Sequence, residues 1–431
     1  MHAIVIGAGV IGSAVAYELA KRGHAVTVVD RERSPGHGST AGSCAIIRMH
    51  YSTWDGTALA WEGYHYWRDW AEHLEAPEGE DLARFVECGC MVMKTEANGQ
   101  LARHMENSAD LSIPFEEWGP EEIARAMPGL DLARHAPAKR LDEPGFGEPT
   151  GGRLRGAVFW PSAGYVTDPA LSAKNLAEAA MRRGAVLRLG ERVEAILIEG
   201  GRASGVRLAG GEALRGDVVV NVAGPGSALI NEMAGVTEDM TIATRPLRQE
   251  VTHVPAPEGA YGTALGIVTS DSDASVYTRP EHGGNILIGS EDPPCDALEY
   301  LESDEGYDRD FTEQWRVQAL RWAQRMPALG VPSRMKGVVD LYDASTDWIP
   351  IYDKSALPGF YMACGTSGNQ YKNAPIAGIL MAELIEAVEG GRDHDADPVR
   401  LTLPYVGREI DLGFYSRKRP INEESSFSVL G

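Results

Sequence analysis

The chain opens on an apolar run, Ala3-Ile4-Val5-Ile6, that passes directly into Gly7-Ala8-Gly9-Val10-Ile11-Gly12. A second apolar run, Ala25–Val29, ends on Asp30, eighteen residues after Gly12. Strand, glycine turn, helix, second strand and terminal acid together form the fingerprint of a dinucleotide-binding βαβ unit. Gly7 permits the tight turn, Gly9 lets the backbone approach a pyrophosphate, and Gly12 lets helix and strand pack closely. Val10 and Ile11 lie at the helix N-terminus, whose free N–H groups and positive dipole end favour phosphate. Asp30 is placed to accept hydrogen bonds from a ribose, and Arg31 beside it belongs to the same cofactor-binding set.

A chain of 431 residues can build two sizeable cores. With 43% hydrophobic and 24% charged residues it has the composition of an ordinary globular protein. No run of 18 apolar residues offers a membrane span. The first strand begins at Ala3, which leaves no room for a signal peptide, so a cytoplasmic location is expected. The net charge of −22 argues against binding nucleic acid or anionic lipid. The five cysteines are odd in number and widely spread, which points to reduced thiols. Cys88 and Cys90 have no second pair and no histidine at ligand spacing, so no metal is expected.

The helix after Gly12 closes with Lys21-Arg22-Gly23, a basic last turn and a glycine cap. Ala60, Tyr64, Trp67, Ala71 and Leu74 share one helical face; with Trp54, Trp61 and Trp70 around them they read as core. From Glu75 to Arg155 the sequence is rich in proline, glycine and acids and breaks the βαβ rhythm. The rhythm returns at Asp168-Pro169, with a helix Ala170–Arg183, a strand Ala185–Leu189, a small meander from Val193, and a buried strand Asp217–Val222. Gln249–Val254, Ala274–Arg279 and Asn285–Gly289 alternate as antiparallel strands, and Thr312–Arg325 reads as helix. Phe360–Ala363 is a last buried strand, followed by a glycine turn and a helix from about Pro375 to Val388. The expected fold is α/β. A discontinuous Rossmann-type domain (1–75, 156–240 and 331–431) binds the cofactor, and an α+β domain with a large antiparallel sheet (76–155 and 241–330) takes the substrate. A nicotinamide dehydrogenase would keep its Rossmann unit contiguous, so the interleaving points to a flavoprotein.

Four segments carry a resemblance: Gly7–Gly12 with Asp30; Gly38-Ser39-Thr40-Ala41-Gly42-Ser43-Cys44-Ala45-Ile46-Ile47-Arg48; Asp217-Val218-Val219-Val220-Asn221-Val222-Ala223-Gly224; and Gly365-Thr366-Ser367-Gly368-Asn369-Gln370-Tyr371-Lys372. Through them nearly the whole chain resembles the D-amino-acid oxidase superfamily of FAD enzymes, nearest its sarcosine oxidase and sarcosine dehydrogenase branch. The resemblance implies FAD in extended form, with Ser39, Thr40, Ala223 and Gly224 along it and Val193 meeting the adenine. It places Gly365 and Gly368 at a helix N-terminus beside the flavin's N1–C2=O edge. It also implies that Arg48 and Lys372 grip a substrate carboxylate, and that Tyr277 and Tyr342 stand above the ring. The implied reaction oxidises a primary or secondary amine bearing a carboxylate, by hydride transfer to flavin N5, to an imine that hydrolyses. His50 is a candidate proton acceptor, with core packing as its competing role.

Departures refine this. The position of the family's flavin-linking cysteine reads Asp340, and no histidine stands between Gly38 and Arg48, so the FAD is expected to be non-covalent. The position of the oxygen-activating lysine reads Leu287, which favours a dehydrogenase or a slow oxidase. Arg279, Glu291 and Asp340 are expected to alter pocket polarity, which suits an amine with a second polar group. Rival readings are an FAD-dependent hydroxy-acid dehydrogenase, the FAD-bearing subunit of a heteromeric oxidoreductase, and a nicotinamide-dependent dehydrogenase. The expected partner is a small amine rather than a macromolecule, in a monomer or homodimer. The tail 411–431 suits a subunit interface, a pocket cover or a surface arm.

Overall fold

The computed structural model describes residues 1–259 and 266–431. Six strands form the nucleotide sheet, in the order Ile351–Lys354, Phe360–Cys364, Val218–Asn221, His2–Ile6, Ala25–Asp30, Val186–Leu189. All neighbours run parallel except the first pair. The inner strands are nearly continuous apolar runs because both faces are covered. Ala3 and Val5 point into a core shared with the helices Val10–Lys21, Pro169–Arg182 and Ala374–Glu389. Ile4 and Ile6 point the other way, against Val206 and Leu208 of a three-stranded meander. The first and last of these helices touch so closely that a Cβ on Gly378 would lie 2.6 Å from the Ala14 carbonyl oxygen.

A nine-stranded, mostly antiparallel sheet forms the second layer, centred on Thr244–Pro255, Asn285–Ser290, Val276–Glu281 and Val268–Asp271. Strand alternation divides its faces. Val276, Ile286 and Ile288 pack on Trp315 and Trp322 of the helix Glu313–Arg325. Tyr277 and Gly289 face the opposite way, towards the nucleotide sheet's carboxyl edge. Arg325 leaves that helix fully buried and pairs with Asp271 and Asp273 at 2.7 and 2.8 Å.

Ala157–Trp160 and Gly337–Ser345 lie in stretches that the chain rhythm assigned to the cofactor domain, yet both hydrogen-bond into the nine-stranded sheet. Strand membership therefore crosses the boundaries expected at 156 and 331. The choice of strand partner is tertiary, and no composition shift marks it. Six residues of the expected 241–330 stretch lie outside the described residues. Among the described residues no helix is long and apolar enough to cross a membrane, all five cysteines are free, and no acid, histidine or cysteine cluster could hold a metal.

Candidate active site

One continuous cleft runs between the two sheets, from Asp30 past Gly9, Ser39 and Thr40 to Tyr277, Tyr342, Arg48 and Lys372. At its first end the glycine spacing has a steric cause. Gly7 adopts φ +112°, and a Cβ there would lie 2.2 Å from the Val222 carbonyl oxygen. A Cβ on Gly12 would lie 2.0 Å from the Gly7 carbonyl oxygen. Gly9 faces the cleft, where Thr40 is its one close neighbour and also accepts from the Val10 amide at 3.1 Å. Asp30 accepts from the Ala8 amide, and at 2.7 Å from the Glu32 amide, while burial pushes its carboxyl up. Arg31 lines the cleft and pairs with Asp304 at 2.7 Å, across the opening. Ala223 and Gly224 line the same end.

At the other end two cations are buried together. Arg48 is 7% exposed and Lys372 3% exposed. Arg48 Nη1 donates to the His50 carbonyl and Nη2 to the Val429 carbonyl at 3.0 Å. Lys372 Nζ donates to the Tyr51 hydroxyl at 2.9 Å and the Asn369 carbonyl at 2.7 Å. Both cations lie over the Tyr51 ring, 4.6 and 5.1 Å from its centroid. Among the described residues neither has a carboxylate within 4.0 Å, despite 62 acids in the chain. Burial, with the Arg48 charge second, holds the Lys372 ammonium well below its ordinary pKa.

Tyr277 and Tyr342 flank the cleft, and each abuts a glycine. A Cβ on Gly289 would meet Tyr277 at 2.2 Å, and one on Gly368 would meet Tyr342 at 2.4 Å. Burial raises both phenols far enough that they stay protonated. The turn 365–368 is fastened by Asp343, whose Oδ2 accepts from the Gly365 amide at 2.6 Å. Burial pushes the Asp343 carboxyl up to about 7, and its Oδ1 has no partner.

Several expected residues fall elsewhere. Val193 pairs with Leu208 and packs into the core beneath the sheet, outside the cleft lining. Gly365 shapes its turn at φ +69° without lining the cleft. A short 3₁₀ turn, Tyr371–Asn373, separates that glycine turn from the helix, which begins only at Ala374. Gly365 and Gly368 therefore do not stand at the helix N-terminus. His50 also lies outside the lining; its ring packs tilted against Trp160, with centroids 4.4 Å apart, and burial holds its pKa well below normal. Of the three residues expected to change pocket polarity, only Asp340 lines the cleft. Arg279 pairs with Glu281 at 2.7 Å and lies over Tyr165. Glu291 is sealed among Ser270, Ser272 and the Asp271 amide, with burial pushing it up to about 7. Leu287 is buried outside the lining.

Sequence reasoning passed over Tyr51, Asn369, Asp343 and the tail residues Val429 and Leu430. The one available signal was Tyr51, an aromatic three residues beyond Arg48. The others arrive through contacts distant in the chain.

The family model described as DAO, FAD dependent oxidoreductase, matches residues 2–384. A D-amino acid dehydrogenase of Xanthobacter autotrophicus is 28% identical, over 94% of this chain and 98% of its own. Glycine oxidase of Geobacillus kaustophilus is 25% identical, over 94% and 97%. The crystal structure of L-proline dehydrogenase from P. horikoshii superposes with a TM-score of 0.74 at 22% identity, covering 96% of each chain; at that identity it speaks for the fold alone. The chain thus belongs to the DAO family of FAD-dependent oxidoreductases.

Proposed function

We infer that this enzyme oxidises the C–N bond of a primary or secondary amine that carries a carboxylate, an amino acid or N-alkyl amino acid. The supporting observation is the pair of buried cations, Arg48 and Lys372, which open on one cleft without a counter-ion. Burying an unpaired charge costs several kcal/mol. A substrate carboxylate supplies the missing partner, and three N–H groups of Arg48 remain undirected for it. The names of the relatives agree with this class of substrate.

The cleft fits an extended FAD. Gly7 and Gly12 have no room for a Cβ, Gly9 leaves the backbone open, and the first turn of the helix at Val10–Gly12 faces the cleft. Gly7, Gly9, Val10, Ile11 and Gly12 would hold the pyrophosphate, Asp30 and Arg31 the adenosine end, and Ser39, Thr40, Ala223 and Gly224 the middle. Gly368 and Lys372 would meet the ring end. FAD, when bound, supplies the two-electron acceptor.

The chain's own part is positioning and charge. Arg48 and Lys372 fix the carboxylate, and so fix the Cα–H against the reactive end of the cleft. The His50 backbone carbonyl and the Tyr51 ring keep the Arg48 plane in place; the His50 imidazole, neutral and buried against Trp160, takes no proton in this reading. Desolvation and the neighbouring cations lower the substrate ammonium's pKa, so the amine enters neutral without a dedicated base. Loss of the Cα hydrogen with its bonding pair, which FAD would accept, converts C–N to C=N, and water then releases the oxo acid with ammonia or, from an N-alkyl substrate, the alkylamine. The protonated Tyr277 and Tyr342 hydroxyls bound the space above. Asp340 holds a backbone amide and the Tyr307 hydroxyl, which supports non-covalent FAD.

Anaerobic mixing of the holoenzyme with amino acids, N-methyl amino acids and hydroxy acids tests this. Bleaching of the ~450 nm flavin band by amines is expected. Bleaching by hydroxy acids alone would overturn the reading, and no bleaching by any would revive the heteromeric subunit.

A further inference from the structure

The end of the chain enters the active site. Arg419 binds Asp347 through two nitrogens, at 2.9 and 2.8 Å, and fastens the tail to the turn that follows Gly337–Ser345. The segment then turns at Phe427, where φ is +50°. Ser52 holds it from the other side, its amide donating to the Gly431 carbonyl at 3.0 Å. Between these two fixings, the Val429 carbonyl accepts from Arg48 Nη2 at 3.0 Å. Val429 belongs to a small apolar cluster with Leu247, Tyr277, Ala344 and Trp348, and Tyr342 packs against that cluster. Val429 and Leu430 both line the cleft next to Arg48 and Lys372. The tail residues themselves, 419–431, lie beyond residue 384, where the family match ends.

We propose that Val429 and Leu430 form the wall that sets substrate size, restricting the enzyme to carboxylate-bearing amines with a small aliphatic substituent. The inference rests on the reading of the reaction given above. Its geometry is direct. The residue whose carbonyl touches the carboxylate-binding arginine also belongs to the apolar cluster that holds Tyr277 and against which Tyr342 packs. Whatever the substrate carries on the carbon next to its carboxylate must fit beside that cluster. The wall is apolar, since Arg279 and Glu291 turn their charges elsewhere, so an aliphatic substituent suits it and a charged one does not.

Four proteins test the proposal: wild type, Val429→Ala, Val429→Phe and Leu430→Ala. Two readouts are taken on each holoenzyme. The first is the ratio of kcat/KM for DL-phenylalanine to that for DL-alanine. The second, independent of turnover, is the ratio of Kd for benzoate to that for acetate, read from the shift of the flavin spectrum. Val429→Ala is expected to favour the larger compound by about tenfold in both ratios, and Val429→Phe to disfavour it by a similar factor. Leu430→Ala is expected to move both ratios in the direction of Val429→Ala. Ratios within about twofold of wild type in all three variants overturn the proposal, because a pocket wall changed by whole methylenes must discriminate by more. A wild type that oxidises amino acids while its variants keep the wild-type ratios overturns the wall and leaves the reaction standing. A wild type that oxidises none, while the benzoate-to-acetate ratio moves as expected, upholds the wall and removes the reaction.

Discussion

Arg48 and Lys372 reach the cleft by unlike means, and their substitutions should fail differently. Arg48 is planar, stacked on Tyr51 and tied to two backbone carbonyls. Arg48→Lys restores the charge but not the fork, so it should not rescue substrate binding. Lys372→Met removes a point charge and the donor to Tyr51. Each change should lower kcat/KM by roughly 30-fold to several-thousand-fold, the range for removing one partner of a buried charge pair, with KM carrying most of the loss. The depressed Lys372 also makes a pH prediction. A bound carboxylate raises its pKa, so binding takes up a proton between the free and bound values. Affinity for acetate is then full below the free-enzyme pKa and declines as pH rises towards the bound one. Titration of the flavin spectrum with acetate from pH 5 to 10 should show this decline in wild type and not in Lys372→Met. Burial pushes the Asp343 carboxyl up to about 7 with no contribution from Lys372, so its effect is common to both proteins and the difference between the profiles isolates the lysine.

The glycine loop and the turn 365–368 show which elements the chain announces and which it conceals. A Cβ at Gly12 collides with backbone at 2.0 Å, whereas one at Gly9 meets only the Thr40 hydroxyl at 3.1 Å. Gly12→Ala should therefore purify without yellow colour. Gly9→Ala should retain FAD with weakened affinity, measured by fluorescence of released cofactor. Such positions are legible because the requirement is local: backbone geometry demands glycine whatever the rest of the molecule does. The strand alternation around Tyr277 is legible for the same reason. Arg279 shows the limit. It follows Tyr277 by two residues and shares its face, yet Glu281 and Tyr165 draw it away from the cleft. Periodicity assigns a face, and partners then decide what a side chain on that face touches. The tail is least legible of all, since 381 residues separate Val429 from the arginine it holds.

At the scale of the molecule, the cleft is lined from both sheets, so bound FAD would contact both layers. Removing it should lower the unfolding temperature. Returning FAD at a hundredfold its Kd should restore about 2.7 kcal/mol of stability, provided the unfolded chain does not bind it. A calorimetric scan of stripped, reconstituted and untreated protein measures this. The sheet's threading carries a further cost. Val218–Asn221 lies between His2–Ile6 and Phe360–Cys364. A ribosome must add roughly 140 residues after Val218–Asn221 before Phe360–Cys364 exists, about 7–28 s at 5–20 residues per second. Throughout that interval a growing polypeptide presents an unpaired β-edge built on three successive valines, and it is during translation that this enzyme most needs a chaperone's shelter.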